Sequence, residues 1–152
     1  MARVATVAEA ARVGDIVVVS VPAAAFASLP AAPLAGKVVI CTSGDTARSE
    51  GRDQEAGYDR VTIPGLLQRE LPASYVVAAF STVALASVPL DGSPSGTPGR
   101  RALPLAGDFP AAKKIIADLY DRLGCDAVEA GTLSENWRSG PRPAWIRRPA
   151  DR

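Results

Sequence analysis

Three runs dominated by apolar residues constrain the fold of this chain more than any other feature. They lie at 16–21 (IVVVSV), 37–42 (KVVICT) and 74–80 (SYVVAAF). A strand that is apolar at successive positions, without alternation, is buried on both faces, which is typical of a parallel sheet. The sequence therefore predicts three buried parallel strands.

Helical patterns alternate with these strands. Thr6 with Glu9 forms a capping-box pattern, Asp108 is the expected cap of a late helix, and Gly14 and Gly124 are expected helix ends. We predict helices over 5–13, 23–28, 64–70 and 110–123, and further strands over 101–106 and 125–129. Alternating helices and strands predict the α/β class, with a doubly wound, mostly parallel sheet and helices on both of its faces.

The side-chain inventory excludes several classes of function. The 152 residues include 17 basic and 16 acidic side chains, so the net charge of +1 argues against nucleic acid and membrane surfaces as partners. The absence of histidine excludes Ser-His-Asp triads, Cys-His nucleophiles and histidine metal sites, and we predict no metal. Cys41 and Cys125, far apart in apolar stretches, predict free thiols in a reducing cytoplasm. No apolar run reaches the ~20 residues of a membrane span, and the first residues lack a signal-peptide pattern.

Four ordered segments resemble the deazaflavin (coenzyme F-420)-dependent NADP oxidoreductases. They are GDIVVVSVP at 14–22 with GKVVI at 36–40, VVAAFSTV at 76–83, LPLAGD at 103–108 and LGCDAVEAGTL at 123–133. The corresponding family patterns are DVVVLAVP with GKVVID, VVKAFNT, LPVAGDD and LGFDPVDAGPL. The resemblance extends to about Ser134 and implies a Rossmann-like sheet that binds NADP.

The resemblance also implies where the cofactor lies, because ligands of open α/β sheets bind at the carboxyl ends of the strands. The protein then binds and orients a nicotinamide and a deazaflavin or flavin-type partner, which supply the reactive atoms, and no catalytic residue is predicted. Two alternatives stay open: Pro22 serves only to stop its strand, and Ser81 and Thr82 serve only to cap a helix over 82–87. The implied cofactor-binding residues are Val21, Pro22 and Ala23 beside the nicotinamide, Thr42 and Ser43 next to them, and Phe80, Ser81 and Thr82 at the hydride-transfer region.

The chain departs from the family in three places. It has no G-x-G-x-x-G turn, so NADP affinity is expected to be weak or lost, and a glycine-rich β-α-β unit of ~40–50 residues is expected to be missing unless Met1 is not the natural start. Ser81 stands where the family has Asn. Residues 135–148 do not match the family's closing helix, so we divide the chain into a truncated Rossmann-like domain at 1–134 and an irregular Arg/Trp/Pro-rich tail at 135–152.

The tail and the first strand raise questions of partners. Trp137 and Trp145 either stack on a ring or cover an apolar face, and the late arginines are either solvated or contact a phosphate or a partner. Without a preceding strand, the strand at Ile16–Val21 becomes a long apolar edge. This predicts a homo-oligomer, most simply a homodimer that buries that edge or the helix face beside it.

Two functions remain open at this point. The first is an NADP-dependent oxidoreductase-like protein. The second is a non-catalytic or repurposed Rossmann fragment that acts as a small-molecule binder or a dimeric interaction protein.

Overall fold

The computed structural model describes residues 3–43, 61–83 and 92–139. Within these ranges an α/β arrangement of short elements is present. The strands are β1 (Ile16–Val19), β2 (Val38–Cys41), β3 (Tyr75–Ala79), β4 (Ala102–Gly107) and β5 (Asp126–Glu129). The α-helices are α1 (Val7–Val13), α2 (Ala31–Leu34), α3 (Ile63–Glu70) and α4 (Pro110–Arg122), and the 3-10 helices are η1 (Ala23–Ser28) and η2 (Leu133–Ser139).

The five strands form one sheet in the order β1-β2-β3-β4-β5. β1, β2 and β3 are parallel, β3 and β4 are antiparallel, and β4 and β5 are parallel. The predicted mostly parallel α/β sheet is confirmed. Its one antiparallel pair lies in the middle, so the carboxyl ends of β4 and β5 point away from those of β1–β3.

Helices cover both faces of the sheet, as a doubly wound arrangement predicts. On one face Phe26 of η1, Leu34 of α2, Leu67 of α3 and Leu133 of η2 form a buried cluster with one side of the strands. On the other face α4 packs on β3, β4 and β5. Its residues Ile116 and Tyr120 are fully buried there with Val77, Leu103 and Leu105.

Local signals at the helix ends account for most of the observed boundaries. The capping box is confirmed: the Thr6 hydroxyl accepts the Glu9 amide proton at 3.3 Å, and the Glu9 carboxylate accepts the Thr6 amide proton at 2.9 Å. Gly124 follows α4 with a φ of 81°, a left-handed conformation that glycine adopts without strain. Cys41 and Cys125 are buried and do not form a disulfide, as predicted.

The predicted cap of α4 is wrong. α4 begins after Phe109, which makes no side-chain capping bond. The Asp108 carboxylate instead accepts the amide proton of Leu133 at 2.9 Å, at the start of η2. A carboxylate can accept an unpaired amide proton at the start of any nearby helix. Here the start of η2 lies beside the end of β4, so Asp108 accepts from η2 and not from α4.

The prediction that the first strand is buried on both faces is also wrong. The Val18 side chain of β1 is 51% exposed, while every residue of β2 is buried. Among the described elements α4 packs mainly on β3, β4 and β5, and on this face of β1 Ile16 packs partly against the same cluster. Ile115, which the helical spacing places in the apolar stripe of α4, is likewise 43% exposed.

Two further expectations concern the end of the chain and membranes. The boundary that we predict between residues 134 and 135 falls inside η2, whose Asn136 is buried. The Trp145 side chain and residues 140–152 lie outside the described ranges, as does the side chain of Trp137, so the role of the tail stays a prediction. No helix in the described ranges is long and apolar enough to cross a membrane.

Lys37 holds the carboxyl end of α1. Its ammonium donates hydrogen bonds to the carbonyl oxygens of Ala11 at 2.7 Å, Arg12 at 2.8 Å and Gly14 at 2.8 Å. These carbonyls have no partner within the helix, and a cation there also complements the helix dipole. One side chain at the start of β2 therefore fixes α1 against the sheet.

We predict that Lys37→Met lowers the free energy of unfolding by about 1–3 kcal/mol, because it leaves half-buried carbonyls without donors. Urea unfolding measures the loss. Lys114→Met is the matched control, since Lys114 makes only an exposed i,i+4 ion pair with Asp118, for which about 0.5 kcal/mol or less is expected. Equal losses in the two variants would contradict the capping role.

Candidate functional site

The carboxyl ends of three parallel strands meet at one edge of the sheet. β1 leads into Val21, Pro22 and Ala23, β2 into Thr42 and Ser43, and β3 into Phe80, Ser81 and Thr82. These eight residues, which the sequence predicts as cofactor-binding, are called the strand-end surface below. The topology brings all of them to the same edge, because β1, β2 and β3 run in the same direction.

Hydroxyl groups join the ends of β1 and β2. The Thr42 amide donates to the Val19 carbonyl at 3.2 Å, and the Thr42 hydroxyl approaches the same oxygen at 3.4 Å. The Ser43 hydroxyl donates to the Val21 carbonyl at 3.3 Å. Both side chains are half-buried. Each hydroxyl uses its proton within the protein and keeps lone pairs that can accept a hydrogen bond from a ligand.

Pro22 begins η1 rather than ending β1. The ladder of β1 ends at Val19, three residues earlier, and the Pro22 carbonyl accepts the Ala25 amide proton at 2.9 Å. Pro22 itself is exposed, and Ala23 is half-buried against the core. The structure therefore leaves Pro22 on the surface as a rigid start to the 3-10 helix.

Phe80 has the unusual backbone of this site. Its φ is 59°, and it is the one non-glycine residue of the described ranges with a positive φ. For a bulky residue this left-handed conformation is strained by about 1–3 kcal/mol and persists only where the surroundings hold it. The ring is buried and packs edge-on against Tyr120 with centroids 4.8 Å apart. The Phe80 side chain thus points into the core, and its backbone forms the turn at the surface.

Tyr120 holds this turn in place. Its hydroxyl accepts the Phe80 amide proton at 3.0 Å and donates to the Pro104 carbonyl at 3.1 Å. The β3–β4 register pairs Ala79 with Leu105, so Phe80 and Pro104 are the next pair along the ladder. The phenol therefore joins two backbone groups where strand pairing stops. Burial raises the pKa of Tyr120 well above its ordinary value, with the Phe80 hydrogen bond opposing part of that shift.

The helix predicted over 110–123 includes Tyr120, but this role of its hydroxyl was not predicted. The available signal was chemical: a tyrosine among buried aliphatic residues needs a partner for its hydroxyl. Its partners lie 40 and 16 residues away, at distances that helical spacing does not report.

Ser81 and Thr82 complete the strand-end surface. Ser81 is half-buried and Thr82 is exposed, and the Val83 amide donates to the Phe80 carbonyl at 3.4 Å. The helix predicted over 82–87 falls largely in residues 84–91, outside the described ranges, so the capping alternative stays a prediction.

The strand-end surface carries no charged side chain. Several charged groups elsewhere in the described ranges pair with one another. Arg100 contacts Asp121 at 2.9 Å and Asp126 at 2.6 Å, and Lys113 contacts Glu129 at 2.6 Å. The described residues hold no group of three or more His, Cys, Asp or Glu suited to a metal ion. The surface is therefore chemically suited to a neutral, hydrogen-bonding ring.

A second concave region shares no residue with the strand-end surface. It is a groove of about 290 Å³ between α3 and the segments that follow β4 and β5. The Thr62 hydroxyl closes part of it by donating to the Leu133 carbonyl at 2.7 Å. Sequence reasoning did not predict this groove. Its lining residues are Val61, Thr62, Gly65, Gln68, Arg69, Asp108, Leu133 and Ser134.

Comparison with known proteins supports the fold and is less specific about function. No known protein-family profile matches the chain. A segment of 48 residues is 42% identical to protein YjhV of Escherichia coli K12. The matched segment makes up 32% of this chain and 35% of YjhV. This match is confined to about a third of each protein.

Two solved structures resemble the chain over most of its length. One is the crystal structure of a "putative F420 dependent NADP-reductase" from Arthrobacter sp. FB24, with a TM-score of 0.67 and 23% identity over 86% of this chain and 60% of that chain. The other is the hypothetical protein SMa0349 of Sinorhizobium meliloti, with a TM-score of 0.66 and 26% identity over 93% of this chain and 66% of that one. The chain thus has an α/β Rossmann-like fold of this type and spans roughly two thirds or less of these neighbours.

We predict that Tyr120→Phe lowers the free energy of unfolding by about 1–3 kcal/mol, because it leaves the buried Phe80 amide and Pro104 carbonyl without a partner. Chemical denaturation measures the loss. Tyr75→Phe is the control, because that residue is 41% exposed and a change within about 0.5 kcal/mol is expected. A loss no larger than that of the control would contradict the bridging role.

The raised pKa of Tyr120 predicts a loss of stability in alkali. The unfolded tyrosine loses its proton near pH 10, while the buried phenol keeps it. The contribution of Tyr120 to the free energy of unfolding is therefore complete below about pH 10 and declines above it. The expected slope is about 1.4 kcal/mol per pH unit. Denaturation at about pH 9 and about pH 11 should show this decline in the wild type. The decline should be smaller in Tyr120→Phe; identical slopes would contradict the assignment.

Proposed function

We propose that the strand-end surface binds the nicotinamide half of NADP, and that the protein is an oxidoreductase-like protein for hydride transfer with a deazaflavin or flavin-type partner. The observation that carries the proposal is the convergence of Val21–Ala23, Thr42–Ser43 and Phe80–Thr82 at one edge. Family resemblance assigns cofactor contacts to the same residues. The Arthrobacter neighbour, whose description names F420 and NADP, adds support from the fold.

The residues present fit the nicotinamide and not the phosphates. A carboxamide on a neutral ring needs acceptors and donors, which the half-buried hydroxyls of Thr42, Ser43 and Ser81 can supply. NADP phosphates need backbone amides at a glycine-rich turn or cationic side chains. The sequence has no G-x-G-x-x-G turn, and the strand-end surface has no Lys or Arg. Affinity is therefore expected to come mainly from the nicotinamide end.

The role of the protein in such a reaction is positional. The nicotinamide, when bound, supplies or accepts the hydride. Thr42 and Ser43 would orient its carboxamide, since their positions are fixed by the Val19 and Val21 carbonyls. The Phe80 turn, held by Tyr120, would set how closely a ring can approach β3. No proton needs to move to or from these side chains, which agrees with a neutral surface.

The second candidate is a non-catalytic small-molecule binder built on the same surface. The absence of cationic groups at the strand-end surface favours it, because such a surface holds a neutral ring without a dinucleotide. Binding and turnover distinguish the two candidates.

We predict that reduced nicotinamide mononucleotide binds nearly as tightly as NADPH, within roughly tenfold, because the adenosine half finds no charge on the described surface. Isothermal titration calorimetry measures the dissociation constants of both ligands, with adenosine 2′,5′-bisphosphate as a third ligand. Heat from the bisphosphate alone, or no heat from NADPH at millimolar concentration, would overturn the proposal.

Thr82→Glu tests the location. A carboxylate on this exposed residue should repel the nucleotide phosphate and weaken NADPH binding roughly tenfold. Thr97→Glu is the matched control, because Thr97 is an exposed threonine in the 92–100 segment, and no change is expected. A mixture of NADPH and an oxidised deazaflavin, followed by NADPH absorbance, then reports turnover. Binding that maps to Thr82 without turnover would favour the binder.

A further inference from the structure

The groove beside α3 carries two charges of opposite sign that do not pair with each other. This groove of about 290 Å³, called the α3 groove below, is lined by Arg69 on its α3 wall and by Asp108 on the wall that follows β4. Both residues are exposed, and neither forms an ion pair with a residue in the ranges 3–43, 61–83 and 92–139. Both charges are therefore available to a ligand in the α3 groove.

The neutral polar side chains of the α3 groove are already engaged within the protein. The Thr62 hydroxyl donates its proton to the Leu133 carbonyl at 2.7 Å. The Gln68 side chain uses both its nitrogen and its oxygen in hydrogen bonds with the turn that follows α3 and with β3. The Ser134 hydroxyl lies 2.8 Å from the hydroxyl of Thr132. Recognition of a ligand is therefore left mainly to the two charged side chains.

Hydrogen bonds hold the two walls of the α3 groove together. The buried hydroxyl of Thr62 links α3 to η2. One oxygen of the Asp108 carboxylate accepts the Leu133 amide proton at 2.9 Å, and the second oxygen can still accept from a ligand. Gly65, one helical turn before Arg69, lines the groove without a side chain to fill it. A ligand would therefore meet walls that are already in place, which lowers the entropy cost of binding.

The two charges together select the class of ligand. Asp108 repels a simple anion and Arg69 repels a simple cation, whereas a zwitterion is attracted by both. A guanidinium binds a carboxylate through two parallel hydrogen bonds, and a carboxylate oxygen accepts a proton from an ammonium group. The aliphatic side chains of Val61 and Leu133 line the same groove and suit an apolar body. The groove lies at the small end of the ~300–1,000 Å³ of ligand pockets, which favours a ligand the size of one amino acid.

We propose that the α3 groove is a second ligand site, which binds a small zwitterion: a free α-amino acid with an aliphatic side chain. Arg69 binds its carboxylate, Asp108 binds its ammonium group, and Val61 and Leu133 contact its side chain. The α3 groove shares no residue with the strand-end surface, so this site is independent of the nucleotide function. Because both charges are exposed to water, a dissociation constant in the millimolar range is expected.

Titration of the isotope-labelled protein with L-leucine up to about 50 mM, followed by the NMR shifts of backbone amides, tests both binding and its location. The amides of Gly65, Leu133 and Ser134 should shift along one saturation curve, and those of Thr42 and Ser43 should not shift. Two analogues each remove one charge: 4-methylpentanoate lacks the ammonium group, and leucinamide lacks the carboxylate. At about pH 6.5, where the amines are protonated, each analogue should bind at least about fivefold more weakly than leucine.

Arg69→Gln and Asp108→Asn remove the same two charges from the protein. Each should weaken leucine binding at least about fivefold, and the asparagine oxygen can still accept the Leu133 amide proton, so the fold is retained. Arg122→Gln is the matched control, because Arg122 is an exposed arginine in the last turn of α4, as Arg69 is in α3, and does not line the groove. It should leave the dissociation constant of leucine unchanged.

Three results would overturn the proposed amino-acid site. One is the absence of shifts around the α3 groove at the highest leucine concentration. Another is equal binding of 4-methylpentanoate and leucine, which would indicate a plain anion site. The third is leucine binding that Arg69→Gln and Asp108→Asn leave as tight as in Arg122→Gln. The amide spectrum of each variant shows at the same time that it is folded.

Discussion

The hydroxyl of Tyr120 joins the two parts of this sheet. β1–β3 run one way and β4–β5 the other, so the sheet changes direction between β3 and β4. At the end of that antiparallel pair the phenol takes the amide proton of Phe80 and gives its own proton to the carbonyl of Pro104. α4, which carries Tyr120, is thereby fixed to both strands. The same contact holds the amide of Phe80, whose left-handed backbone forms the turn at the strand-end surface.

The elements of the fold were largely predictable from sequence because local physics determines them. The apolar run at β2, the capping box at Thr6 and Glu9, and the glycine after α4 each act within a few residues. The errors arose where a distant segment decides. The exposure of Val18 depends on which segments pack over its face of β1, and the partner of Asp108 is an amide 25 residues away. The bridge made by Tyr120 is of the same kind.

The candidate site was predictable in position and not in detail. Parallel strands necessarily bring their carboxyl ends together, so the eight residues were placed at one edge by topology alone. That the Phe80 ring is buried and that the hydroxyls of Thr42 and Ser43 are tied to β1 follow from tertiary contacts. A fold of this type supports many functions, and the likeness to solved structures at 23% and 26% identity concerns the fold. Function must therefore be argued from the neutral chemistry of the surface.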